Sequence, residues 1–109
     1  MKVKTIMNNR IDYIIYNLEI EPWNEEVYDI FIKENQIAKP AFNTNISVKW
    51  YDHEKALKNF SKQFPDLLFI LEGVGETTGD VWIKYFKDGK MQFCPGTIVF
   101  DDYDKDKLK

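Results

Sequence analysis

Leu67–Leu68–Phe69–Ile70–Leu71, set between Pro65 and Gly73, is the stretch that decides the fold. Five successive apolar residues bounded by a proline and a glycine fit a central β-strand better than a helix. Strand side chains alternate between faces, so Leu68 and Ile70 take one face and Leu67, Phe69 and Leu71 the other. Both faces want cover, and the strand is read as Asp66 to Glu72.

Working toward the C-terminus, Gly73–Val74–Gly75–Glu76–Thr77–Thr78–Gly79 reads as a loop. Asp80 to Phe86 is the next strand, with Val81, Ile83 and Tyr85 on one face and Trp82, Lys84 and Phe86 on the other. Lys87–Asp88–Gly89–Lys90 follows. Asp-Gly between apolar-rich runs marks a type I′ hairpin, whose two central residues need positive φ. Met91 to Cys94 returns, Pro95–Gly96 interrupts it because proline cannot donate to a ladder, and Thr97 to Phe100 resumes it. The result is a three-strand meander.

Working toward the N-terminus, a helix ends at Pro65. It is capped by Asp52, opened by His53 and Glu54, and striped by Leu57, Phe60 and Phe64. Ile46, Val48 and Trp50 alternate with Asn45, Ser47 and Lys49, which predicts a strand over Asn45 to Tyr51. Ala41 to Asn45 reads as a connection. Asn24 is placed to cap a second helix, with Glu25 and Glu26 at its positive end and Val27, Ile30 and Phe31 at helical spacing, ending near Gln36. Arg10 to Glu21 reads as a long strand whose set Ile14, Tyr16, Leu18, Ile20 faces the core. Met1 to Met7 is a possible short strand followed by a turn at Asn8–Asn9. This order predicts a single α+β domain over residues 1–109. It is expected to be ferredoxin-like: a mainly antiparallel sheet ending in a three-strand meander, with two helices on one face. Residues 101–109, alternating acids and lysines, read as a frayed tail.

A chain of 109 residues with 44% hydrophobic and 16% aromatic content can bury one modest core and is unlike a disordered segment. Net charge −3 argues against a dedicated nucleic-acid binder, which needs a basic footprint. One cysteine, Cys94, precludes an internal disulfide and fits a reducing compartment. No run is long enough to span a membrane, so a cytoplasmic location in a host cell is expected.

Catalytic and metal motifs fail on inspection. His53, the single histidine, lacks a nucleophile in a suitable context and reads as a polar first-turn residue. Cys94 has no electropositive setting. Gly73 and Gly75 are followed by a strand rather than a phosphate-binding helix. Asp102, Asp104 and Asp106 lack the glycine and glutamate of a calcium loop. Glu72, Glu76 and Asp80 read as solvated loop acids rather than a metal site. No enzyme activity, cofactor or metal is expected.

Trp50–Tyr51–Asp52–His53–Glu54, Phe64–Pro65–Asp66, Leu71–Glu72–Gly73, Gly75–Glu76, Gly79–Asp80–Val81–Trp82, Tyr85–Phe86 and Asp88–Gly89–Lys90 together resemble the YubB-type ferredoxin-like domain of small phage- and plasmid-borne proteins. The resemblance covers the second half of the chain. It implies a ferredoxin-like fold and a mobile-element origin, and it carries no catalytic residue.

With helices on one face of the sheet, apolar residues on the other are either covered by the N-terminal segment or the long loop, or left open, and a contiguous open patch marks an interaction site. The expected function is a non-enzymatic protein-binding module, encoded by a phage or mobile element, that inhibits or modulates a host protein such as a defence nuclease. Trp82, Phe86, Tyr85 and Phe69 are the expected aromatic and apolar contacts. Glu72, Glu76 and Asp80, with Asp101 and Asp102, are the acids that would meet a basic groove. Two alternatives remain open. One is a single-stranded nucleic-acid binder stacking bases on Trp82, Tyr85 and Phe86, which the acidic charge disfavours. The other is a structural homodimer that pairs its sheet faces.

Overall fold

The computed structural model describes residues 2–5, 14–44, 46–75 and 79–109. Strand β1 (Lys2–Thr5) is followed by β2 (Ile14–Glu21), helices α1 (Glu25–Glu34), α2 (Lys39–Thr44) and α3 (His53–Gln63), then strands β3 (Leu68–Gly75), β4 (Val81–Lys87), β5 (Lys90–Pro95) and β6 (Thr97–Phe100). The chain is α+β.

β2, β3, β4 and β5 form one antiparallel sheet in that order. The meander of β3, β4 and β5 is as read from the sequence. Its second turn has the expected geometry, with φ of 47° at Asp88 and 79° at Gly89. A ferredoxin-like sheet interleaves its strands through β-α-β units. Here each hydrogen-bonded neighbour in the sheet is the next strand in the chain, so the order differs from the interleaved one. The predicted strand over Asn45 to Tyr51 is the physical cause of the difference. Among the described residues of that segment only Val48 pairs, through a two-way bridge to Ile14 with both N–H···O distances at 3.0 Å. Trp50 then turns fully into the core while Ile46 stays exposed.

α1 begins as expected, with the Asn24 side chain accepting from the Val27 amide at 3.1 Å. It closes at Asn35, whose side-chain amide donates to the Phe31 carbonyl. The segment read as a connection contains α2 instead. Its Pro40 sits in the first turn, where the missing N–H costs nothing. Phe42 inside α2 packs edge-on to Trp50 at 6.1 Å.

β2 alternates as predicted, burying Ile14, Tyr16, Leu18 and Ile20. These join Phe69 and Leu71 of β3, Trp82 and Phe86 of β4, Val27, Phe31 and Ile32 of α1, and Leu57 and Phe60 of α3 in one core. β3 runs further than predicted, through Gly73 to Gly75. Gly73 is required there because the Trp82 indole lies against it, and a β-carbon would fall 2.2 Å from that ring.

β6 leaves the sheet at Gly96 and pairs antiparallel with β1, Lys2 opposite Phe100 and Thr5 opposite Thr97. The resumed strand therefore does not extend the meander; it forms a separate two-stranded ribbon. The Asn8–Asn9 turn and the start of the long N-terminal strand lie outside the described residues. Residues 101–109 are exposed, with one 3₁₀ turn at Lys105–Lys107. The radius of gyration, 16.7 Å, exceeds the roughly 13 Å of a compact chain of this length.

Candidate interaction face

The inner face of the sheet is the one the helices cover, and it takes three of the expected contact residues. Phe69 and Phe86 are fully buried and Trp82 is 9% exposed. The sequence places them on one face with Leu71, but both faces are apolar, and nothing local says which one the helices choose. Their inward position corrects the expectation that they contact a partner. It also dismantles the aromatic stacking platform, leaving Tyr85 as its outward member. Asp80 is buried too, at 6% exposure, with its carboxylate packed against Gly75. Glu76 lies outside the described residues.

The inner face also holds a polar cluster that sequence reading missed. Lys84 lies between Trp82 and Phe86 on β4 and so points inward by simple alternation. Its ammonium meets His53 Nε2 at 2.6 Å and Glu54 Oε2 at 3.1 Å, and lies 4.2 Å from the centre of the Trp82 ring. His53 Nδ1 is 2.9 Å from the Trp50 carbonyl. A carbonyl at Nδ1 and an ammonium at Nε2 are both satisfied by the neutral tautomer that carries its hydrogen on Nδ1. His53 then donates to Trp50 and accepts from Lys84. Burial, reinforced by the Lys84 charge, lowers the His53 pKa; burial also lowers that of Lys84, against the pull of Glu54. His53 and Lys84 are each under one-tenth exposed while the Glu54 side chain is about half exposed, and together they tie the start of α3 to β4. The available signal was the inward lysine and the lone histidine, but their contact spans 31 residues.

The outer face carries the remaining expected residues, Tyr85 and Glu72, both half-buried. Strand register arranges this face in rows. Ile15, Val74 and Val81 form one row; Asn17, Glu72, Ile83 and Cys94 the next; Glu19, Ile70, Tyr85 and Gln92 the third. Beyond them Glu21 pairs with Leu68 on one side of the sheet and Lys87 with Lys90 on the other. Val74 and Val81 are 48% and 41% exposed, and Glu19, Glu21, Lys87, Lys90 and Gln92 are exposed. An apolar band through β3 and β4 is thus flanked by acids on β2 and lysines on the β4–β5 hairpin. Leu68, Tyr85, Lys87, Lys90, Met91 and Gln92 line an open concavity of about 460 Å³ at the hairpin side.

Among the described residues no group of three or more histidine, cysteine or acidic side chains is placed to hold a metal ion. No described helix is long and apolar enough to cross a membrane. Compared with protein-family models, curated proteins and solved structures, the chain matches none.

Proposed function

We propose that this chain is a non-enzymatic protein-binding module that works through the outer face of its sheet. The observation that carries the reading is the apolar band of Leu68, Ile70, Ile83 and Tyr85, lying between a row of acids on one side and lysines on the other. Leu68, Ile83 and Tyr85 are half-buried and give up further apolar surface on contact, at roughly 25 cal/mol per Å², whereas Ile70, 9% exposed, has little left to give. The flanking charges fix orientation and speed encounter more than they add affinity. The face specifies a partner with an apolar contact surface and basic groups on the side that meets Glu19 and Glu21. Inhibition of a host protein, such as a defence nuclease, is supported by the resemblance to mobile-element proteins.

Affinity capture from cell lysate tests this reading, comparing the wild type with Ile83→Asp and checking both for fold by circular dichroism. The expected result is a protein held by the wild type at low salt, weakened about tenfold by screening at high salt and lost by the folded variant. The same proteins held equally by both would remove the outer face from the account.

A further inference from the structure

The occupant that the outer face specifies has an apolar surface and basic groups along one side. The outer face of a second copy has both. We propose that two copies of this chain pair outer face to outer face about a two-fold axis running along the strands between β3 and β4. The inference rests on the reading of that face as the working surface and gives it one occupant.

Charge placement selects the axis. Sheets stacked face to face sit about 10 Å apart, and neighbouring strands about 4.8 Å. β2 and β5 are the two edge strands. A two-fold axis along the strands lays β2 of one copy over β5 of the other and keeps each row in register. Glu21 then faces Lys90, with Lys87 beside it, and this pairing occurs twice by symmetry. Glu19 faces Gln92, Asn17 faces Cys94, Ile70 faces Tyr85 and Val74 faces Val81. A two-fold axis across the strands would instead lay β2 over β2 with the rows reversed, so that Glu21 faces Ile15 and Glu19 faces Asn17 and neither acid meets a lysine. Glu72 is the acid nearest the middle of the favoured pairing, where it faces Ile83.

Light scattering of the full chain at low salt tests the proposal. Glu21 and Lys90 are exposed, so reversing either leaves the fold intact by circular dichroism. The expected wild-type mass is twice the 13.0 kDa of one chain. Glu21→Lys and Lys90→Glu should each return it to one chain, and the double reversal should restore the dimer. Glu72→Gln should lower the dissociation constant. A monomeric wild type at every loading overturns the proposal, as does a dimer indifferent to both reversals or a double reversal that stays monomeric. A monomeric wild type would leave the outer face to a different protein, which the Ile83→Asp capture reads separately. A dimer that persists in Ile83→Asp would also overturn the proposal, because the pairing would then lie on another surface.

Discussion

Tyr16 stands at the centre of the aromatic core, edge-on to Trp50 at 5.4 Å and to Trp82 at 6.0 Å, with His53 at 5.7 Å. Its ring is fully buried, and its hydroxyl has no hydrogen-bond partner among the described residues. Burial pushes the phenol up to about 12, helped by the nearby charge of Asp80 and opposed by a Trp50 backbone group that lies near the hydroxyl without completing a hydrogen bond. An unsatisfied buried hydroxyl is a cost that a phenyl ring of the same shape does not carry. Tyr16→Phe is therefore expected to stabilise the fold by about 1 kcal/mol, read as a raised denaturation midpoint. A lowered midpoint would mean that the hydroxyl is bonded after all. At this scale the sequence reading succeeds where alternation is enough: Tyr16 is placed with Ile14, Leu18 and Ile20. It fails for Trp82 and Phe86, because Leu68, Ile70 and Ile83 make the opposite face equally apolar. Which face the helices cover is a property of the assembled chain and not of any one strand.

At the scale of elements, α3 is held to the sheet at both ends. Near its C-terminus the Ser61 hydroxyl accepts from the Gly89 amide of the β4–β5 turn at 2.8 Å. At its start, His53 and Glu54 hold the ammonium of Lys84. The second tie makes stability depend on pH. The unfolded chain takes up a proton on His53 near pH 6.5, whereas the folded chain, with its lowered pKa, resists it. The unfolded state then binds more protons, so stability falls as pH drops below about 6.5, until the folded imidazole itself protonates. Lys84 has the same sign: its folded pKa lies below the ordinary value, so stability rises as pH climbs from that lowered pKa to about 10.5. Urea denaturation at pH 7.5 and pH 5 should show a drop for the wild type, and a smaller one for His53→Gln. Equal drops would separate His53 from the acid limb. α1, α3 and the meander were legible because the Asn24 cap, the helical stripes and Asp-Gly are local signals, although the Asp52 side chain, read as the cap of α3, makes no capping hydrogen bond. α2 and the single bridge at Val48 were not. Lys39 to Tyr51 owes its path to where Phe42 and Trp50 find the core, and alternation of Ile46, Val48 and Trp50 imitates a strand that only one residue completes.

The whole molecule is two unequal parts, a helix-backed sheet and a ribbon made from strands near opposite ends of the described chain. The topology was the least legible feature, since no local pattern says that β6 abandons β5 at Gly96 to pair with β1. The ribbon has only two strands, and two strands alone are marginally stable in water. Amide exchange should therefore show β1 and β6 opening at lower free energy than β3 and β4, whose amides should exchange only on global unfolding. Equal protection would mean that ribbon and sheet open as one unit. The same pairing sets an order on the newborn chain. β1 leaves the ribosome roughly 95 residues ahead of β6, an interval of about 5–20 s at ordinary rates of synthesis. Through that time it has no native strand to lie against, so the sheet and helices can assemble before the ribbon is able to close.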